Sequence, residues 1–440
     1  MIILKYLIIF FLVFFGVILA FMLYSSNGKV NNNSRQQSDK YVTASGSSGY
    51  FEKKDSLSIL NLSGSFNEMG EQYGALAYNQ LNEIYQQIVP EYFDGINFRA
   101  LLSDILRAFY YFKMDNREKD LLRGMTKTSG LSFRQLLSIE MLPMLITLYN
   151  GFNGDKLTDT SGTGYCSFLS VWGNQSQTKS MLIARNLDLS TPVTKLDPYY
   201  SLVIYKPNGK ENSVASFGFI GFIPGFSWIN SKNLFSEYND GRRSVPGFNF
   251  SGYIGLNTAF YAMLDSDNKE EFIQYVKEHP AFVSNFTAIV DVNNSLAIEH
   301  AVNNPAVILN GQRSTANFFT NLYRTNFPKA KITMNNCIEK VKDTPSYACV
   351  RYHHIDAFLD KHSEIGIDEL KTLFSTPLDD GGVYQTGMSV RYPVAEVTNY
   401  TLIGELASGR FIYSNHSAKD VWIELDINRY FCKQMETHNN

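Results

Sequence analysis

Three regimes of hydrophobic patterning divide the chain. From Tyr6 to Tyr24 the residues are apolar without a break. At 1.5 Å per residue such a run is just long enough to cross a bilayer core of about 30 Å. Residues 25–54 are polar and rich in Ser, Asn and Gly, and read as a flexible linker. From Phe66 apolar residues recur at helical spacing, predicting a helix to about Val89, a second over Phe98–Phe112 and a third over Phe133–Leu148 with Ser132 as its N-cap. After Cys166 the period drops to two. Ser167–Trp172 and Ser180–Ala184 flank Gly173-Asn174, Leu202–Tyr205 and Val214–Phe217 flank Pro207-Asn208-Gly209, Thr287–Asp291 and Leu296–His300 flank Asn293-Asn294, and Leu402–Leu406 and Arg410–Tyr413 flank Ser408-Gly409. Val421–Ile427 reads as a further strand, and helical patterns return at Asn268–Glu278, Val350–Lys361 and Asp368–Phe374. Antiparallel hairpins with helices grouped between them predict an α+β fold built in layers.

Composition and charge narrow the function classes. A net charge of -3 over 440 residues, with no basic block, gives nucleic-acid binding little support. The apolar run has a poor cleavage site at Phe21-Met22-Leu23-Tyr24-Ser25-Ser26, so it reads as an uncleaved anchor, with a cleaved signal or a soluble core helix as alternatives. Lys5 on one flank and Lys29, Arg35 and Lys40 on the other leave the charge rule for orientation ambiguous. A leading apolar segment usually exports the chain behind it, which puts the body outside the cytoplasm, in a lumen or secreted. Sequons at Asn61, Asn174, Asn249, Asn285, Asn293, Asn399 and Asn415 fit that placement in a eukaryotic host. Of the four cysteines, Cys337 and Cys349 are the pair an exported protein could join. No Cys-x-x-Cys or His-x-x-x-His spacing occurs, so neither a metal nor another cofactor is expected.

The chemistry concentrates on Cys166. It follows the small, turn-prone stretch Thr160-Ser161-Gly162-Thr163-Gly164 and Tyr165, heads a strand, and precedes a second strand ending in Ala184-Arg185-Asn186-Leu187-Asp188. A lone cysteine in an apolar strand is often just a small buried hydrophobe. Here a cut between Tyr165 and Cys166 would free an α-amine beside the thiol. An α-amine has a pKa near 8 and a thiol near 8.5, so the two share protons near neutral pH and need no histidine.

Cys166-Ser167 with Arg185 and Asp188 resembles the nucleophile hairpin of the acyl-coenzyme A:6-aminopenicillanic-acid acyltransferase family of N-terminal-nucleophile hydrolases, which is related to choloylglycine hydrolases and acid ceramidases. The likeness runs from about Leu60 to about Ile427. Leu62 to Gly74 is similar to the family's opening Leu-x-Gly and Gly-x-x-x-Gly, and Gly124–Gly130 to its Gly-x-Ala-x-Gly-x-Gly stretch. Asn230-Ser231-Lys232-Asn233-Leu234 is similar to its Asn-Glu-x-Gly-Leu hairpin. Asn239-Asp240-Gly241 stands where the family has its oxyanion asparagine, and Thr315-Ala316-Asn317-Phe318 is similar to its Thr-Asn-His segment. The chain departs from the pattern at Tyr165, where a small residue is usual, and at Ser231 and Asn233.

The resemblance implies a four-layer αββα sandwich and a self-processing thiol enzyme, made as a zymogen, that cleaves or transfers an acyl group from a linear amide. It implies Cys166 as nucleophile, Arg185 against the thiolate, Asp188 and Asn317 anchoring the α-amine, and Asn239 as oxyanion donor. The plainer alternatives are a strand-end ion pair for Arg185 and Asp188, an Asx turn for Asn239 and a loop position for Asn317. The expected organisation is an anchor or signal over 1–24, a linker over 25–54, a mainly helical pro-segment over 55–165, and a nucleophile-bearing chain over 166–440, the two fragments staying together after cleavage. The expected partners are a small acyl amide and, through residues 6–24, a membrane. Competing readings are a lipid amidase like the ceramidases or bile-salt hydrolases, and a catalytically dead, anchored binding protein. A papain-like enzyme fits poorly, because no histidine lies in a recognisable motif.

Overall fold

The computed structural model describes residues 39–93, 97–153, 166–242, 244–328, 330, 333–334, 347–387 and 396–432. The apolar run, most of the linker, Tyr165, the turn-prone stretch before it and Cys337 therefore lie outside the described residues. Among the described residues no helix is long and apolar enough to cross a membrane. The chain forms two compact units. The first comprises described residues within 39–52, 62–145 and 220–223, and the second those within 53–61, 146–219 and 224–432.

The first unit is helical. It opens with a hairpin of β1 (Lys40–Val42) and β2 (Ser48–Lys54), so residues 40–54, linker by composition, form two strands joined by a turn. At the end of β3 (Leu57–Gly64), Ser65 caps α1 (Phe66–Leu76) in a capping box with Glu68. The single helix expected from 66 to 89 is three segments: α1, α2 (Tyr78–Gln87) and α3 (Val89–Phe93). Ala77 departs from helical angles but keeps its bond to Tyr73 O, so the first break is a bend; Pro90 accompanies the second. α4 (Asn97–Lys113) and α6 (Phe133–Asn153) match the periodicity, and Ser132 and Gln135 cap α6 reciprocally. α5 (Asn116–Thr128), capped by Asp115, was not legible because Gly124 and Gly130 give the stretch the look of a turn. Gly124 faces Gly70 of α1 so closely that a Cβ on Gly124 would lie 2.0 Å from Asn67 O.

The second unit has four layers. One sheet contains β3 and then, in spatial order, β6 (Tyr200–Pro207), β7 (Val214–Phe219), β8 (Ser227–Asn230), β9 (Phe235–Asp240), β10 (Asn285–Val290), β11 (Ser295–His300) and β12 (Val307–Asn310). The other has the order β13-β4-β5-β14-β15-β16, from β4 (Ser167–Val171), β5 (Leu182–Ser190), β13 (Ala316–Phe319), β14 (Glu396–Glu405), β15 (Arg410–Asn415) and β16 (Ile423–Asp426). The sheets meet face to face: Phe168 stacks on Phe235 at 6.0 Å and Phe217 on Tyr413 at 6.0 Å. Helices α9 (Tyr347–Lys361) and α10 (Ile367–Ser375) cover the outer face of the second sheet, burying Ile355, Leu359, Leu370 and Phe374 against Leu169, Leu182 and Ala184. On the outer face of the first sheet lies α7 (Gly255–Asp265), which the periodicity did not predict because every residue from Gly255 to Leu264 is buried and the helix shows no polar stripe. It is followed by α8 (Lys269–Glu278), capped by Asn268, and the described chain ends in α11 (Ile427–Cys432).

Candidate active site

β4 begins at Ser167, so Cys166 enters the sheet at its open end. The strand's alternation sends Phe168 and Ser170 inward between the sheets, while Leu169 and Val171 face the helices. β5 pairs antiparallel with β4, Phe168 opposite Arg185 and Ser167 opposite Asn186. β5 is longer than its sequence pattern suggested, so Arg185 and Asp188 lie within the strand, not at its end. Being three apart, they project to opposite faces.

Arg185 faces inward and is fully buried. Its Nη1 pairs with Glu237 Oε2 at 2.8 Å and donates to Phe226 O at 2.6 Å and Ser227 Oγ at 2.9 Å. Its Nη2 donates to Tyr238 O at 2.8 Å and lies 3.7 Å from Cys166 Sγ. A cation held by that many fixed acceptors cannot swing away, so a positive charge stands permanently beside the sulfur. Asp188 faces the helices. Its Oδ2 pairs with Arg351 Nη1 of α9 at 2.6 Å and its Oδ1 accepts from Thr398 Oγ1 at 2.6 Å. Arg351 Nη1 also donates to Ser167 Oγ at 3.0 Å, which ties the residue after Cys166 into the same pair.

Burial sets the proton affinities. Cys166 is 3% exposed, and burial pushes its thiol up to about 12, with Arg185 pulling the other way. Burial raises Asp188 to about 6 against the pull of Arg351, and Glu237 to about 7 against the pull of Arg185. Cys166 is therefore a neutral thiol flanked by two buried ion pairs.

The other two expected residues sit differently. Asn239 lies on β9 two residues from Glu237 and on the same face. Its amide, in the orientation that satisfies both its atoms, donates to Glu237 Oε2 at 2.7 Å and Tyr238 O at 3.0 Å. In this state it braces Glu237, and both of its N–H groups are taken. Asn317 is placed opposite Ser170, and its Nδ2 donates to Ser295 Oγ at 3.0 Å. It faces β11, away from the Cys166 backbone nitrogen, so the α-amine role expected of it does not fit its position. Extending the register Phe319↔Phe168 by two residues brings Asn321, not Asn317, beside Cys166. Asn321 is buried, donates to Asp240 O at 2.7 Å, and leaves Oδ1 without a partner. Thr320-Asn321 is also a contiguous Thr-Asn, which Thr315-Ala316-Asn317 is not.

Sequence reasoning also missed Glu237 and Arg351. Arg351 carried a signal: in the predicted helix it falls on the same face as Ile355 and Leu359. Cys349 is disulfide-bonded, its expected partner Cys337 lies outside the described residues, and Cys166 and Cys432 are free. Among the described residues no cluster of three or more His, Cys, Asp or Glu is placed to hold a metal.

No protein-family model matches the chain. Over 200 residues, 39% of this chain, it is 26% identical to Protein dcd1B of Dictyostelium discoideum; it spans about a third (36%) of that protein's length. Among solved structures it is similar to a variant of conjugated bile acid hydrolase from Clostridium perfringens (13% identity, TM-score 0.43, covering 62% of this chain and 100% of that one). It is also similar to penicillin V acylase from Agrobacterium tumefaciens (13%, TM-score 0.38, 57% and 83%) and to the N-acylethanolamine-hydrolyzing acid amidase ortholog of Caenorhabditis elegans (11%, TM-score 0.36, 55% and 93%).

Proposed function

We propose that the protein is a cysteine N-terminal-nucleophile amidohydrolase or acyltransferase acting on a linear acyl amide, activated by cleavage between Tyr165 and Cys166. The observation that carries this is the buried arginine fixed 3.7 Å from Cys166 Sγ. An inert core cysteine has no use for a desolvated guanidinium clamped against it, whereas a thiolate nucleophile does. Cleavage supplies what the unbroken chain lacks. It replaces the Cys166 amide with an α-amine of pKa near 8, which takes the thiol proton and later passes it to the leaving amine. Asp188, held by Arg351 and Thr398, and Asn321 are the groups disposed to hold that amine. Glu237 fixes Arg185. Asn239 serves the oxyanion once its amide turns from Glu237, a donor typically contributing about 3–4 kcal/mol.

The substrate's acyl group is apolar in this reading. Phe217, Phe219, Phe222, Phe226 and Trp228 crowd the segment that supplies Arg185 with Phe226 O and Ser227 Oγ. Residues 6–24 anchor the chain in a membrane with its body outside the cytoplasm, where such amides partition. A second reading, a catalytically dead binding protein, is favoured by the near-complete burial of Cys166 and the bulky Tyr165.

Intact mass spectrometry and N-terminal sequencing of the purified chain, followed by a panel of acyl amides of increasing chain length, separate the two. The enzyme reading expects a fragment beginning at Cys166 and turnover that Cys166→Ala abolishes. A single uncut chain without turnover would establish the binding protein.

A further inference from the structure

Seven Asn-x-Ser/Thr sequons fall among the described residues, and the fold divides them. Asn61, Asn285, Asn399 and Asn415 lie within strands and are 0–3% exposed. Each uses its side-chain amide inside the protein. Asn61 Nδ2 donates to Tyr430 O at 3.2 Å, Asn285 Nδ2 to Val283 O at 3.0 Å, Asn399 Nδ2 to Tyr200 Oη at 3.3 Å and Asn415 Nδ2 to Ser56 Oγ at 2.8 Å. A sugar on any of these nitrogens would have to displace packed neighbours. Asn249 is half-buried, and its Oδ1 accepts from Ser251 N–H at 3.2 Å and Oγ at 2.7 Å. Asn174 and Asn293 are exposed, and among the described residues neither donates a side-chain hydrogen bond.

These two sit on tight hairpin turns. Asn174 lies in the turn Gly173–Gln175 between β4 and β5, entered through Gly173 at a φ of +59°. Asn293 tips the β10–β11 hairpin, where its N–H and that of Asn294 both donate to Asp291 Oδ1, at 2.8 and 2.9 Å. The turns share one end of the sandwich. β4 runs from Cys166 toward the Asn174 turn. β10 runs from Asn285, opposite Asp240, to Val290, opposite Phe235, and on to the Asn293 turn. Asn317, paired with Ser170 of β4, donates to Ser295 at the start of β11, which joins the two strands at that end. Both sequons therefore lie away from Cys166 and Asn239, where an attached glycan leaves the candidate site open.

We infer that Asn174 and Asn293 are N-glycosylation sites, and that the folded protein carries no glycan at Asn61, Asn285, Asn399 or Asn415. The donor is a lipid-pyrophosphate-linked oligosaccharide. Nδ2 forms a C–N bond to its anomeric carbon, the C–O bond to the pyrophosphate breaks, the lipid pyrophosphate leaves, and Nδ2 gives up one proton. Both assignments rest on the exported body proposed above. One observation independent of residues 1–38 supports such a compartment: Cys349 is disulfide-bonded, a state that persists in oxidising surroundings. The hydroxyls of the two sequons, on Ser176 and Ser295, are 0% and 1% exposed. A transferase that must grip asparagine and hydroxyl together therefore acts before these hairpins close. At that stage the other four asparagines are open too, but a copy modified there cannot complete its sheet and leaves the folded population.

The test uses the full chain, made in a eukaryotic secretory host with an Asn-Ser-Thr sequon added after Asn440 as a control for export. Monodisperse protein is treated with an N-glycosidase in heavy-oxygen water, which turns each glycosylated Asn into labelled Asp, and is peptide-mapped against an untreated sample. Label is expected at Asn174, Asn293 and the added sequon, and at none of the four buried positions. Asn174→Gln and Asn293→Gln should each lose one glycan step in denaturing electrophoresis, and the double variant two. A labelled control with Asn174 and Asn293 unlabelled overturns the inference and leaves the exported body standing. A control and chain both unlabelled overturn the exported body, and this inference with it. Label at Asn61, Asn285, Asn399 or Asn415 in monodisperse protein overturns the division of the sequons by burial.

Discussion

At the level of single residues, the site is a set of buried charges around a neutral thiol, and each makes a measurable demand. In the uncut chain Cys166 should react with iodoacetamide at pH 7.5 on the order of a thousandfold more slowly than exposed, free Cys432, because a thiol raised to about 12 is almost never a thiolate. After cleavage the order should reverse; peptide mapping of the labelled cysteines reads both states, and equal labelling in the uncut chain would contradict the burial argument. Asp188 and Arg351 form a fully buried pair, so Arg351→Met alone should destabilise the chain by about 3–5 kcal/mol in urea unfolding. The double change Arg351→Met/Asp188→Leu should recover much of that loss, because the penalty comes from the uncompensated charge. Glu237 adds a pH dependence. Its carboxyl is raised from the ordinary 4.5 to about 7 in the fold, so between those values the folded chain binds a proton that the unfolded chain has lost. Stability from this group is fully present below about pH 4.5 and falls as pH rises through 7, by ~3 kcal/mol. Glu237→Gln should flatten that part of the wild-type profile, and an unchanged slope would place the titration elsewhere. Of these residues, Cys166, Arg185 and Asp188 were legible in the sequence because one hairpin carries them within 23 positions. Glu237, Asn321 and Arg351 come from β9, the end of β13 and α9; only the sheet register and a helix packed over it bring them to the cysteine, and no local pattern encodes that.

Secondary structure was legible where alternation or helical period had a polar side to contrast with. β4, β6, β7, β10, β11, α8 and α10 lie close to where the pattern put them. α7 is buried all round, so it shows no helical period. α5 failed for the opposite reason: Gly124 looks like a turn residue but is there to let two helices touch. That gives a prediction. Gly124→Ala should be destabilising even though alanine is the better helix former by roughly 1 kcal/mol, because its Cβ would meet Asn67 O at 2.0 Å and Glu71 N at 2.8 Å. Forcing α1 and α5 apart should cost about 1–3 kcal/mol net in a denaturant titration. A stabilised Gly124→Ala protein would show that the helices do not approach as closely as described.

The cleavage proposed before Cys166 would cut the chain but not the fold, because each compact unit draws on both sides of that position. In the second unit, residues 57–61 of β3 form a strand of the sheet whose next strand, β6, begins at Tyr200. Asn61 Nδ2 donates to Tyr430 O at 3.2 Å, and Asn415 Nδ2 to Ser56 Oγ at 2.8 Å. In the first unit, Gly221 N–H donates to Tyr73 Oη at 2.8 Å and Ile223 N–H to Glu140 Oε2 at 2.9 Å, all buried. Burial and neighbouring Glu118 push Glu140 well above the usual carboxyl range. Pulling the fragments apart would break a β-ladder in one unit and strip two buried acceptors of their donors in the other. No covalent bridge can substitute, since all four cysteines lie at position 166 or beyond. The processed protein should therefore run as one species in gel filtration under native conditions, and as two bands in denaturing electrophoresis without reductant. It should lose both fragments together, in one transition, on urea titration. Native separation of the fragments, or a stable second fragment after the first is washed away, would show that residues 53–61 and 220–223 do not hold the fragments together as their hydrogen bonds require.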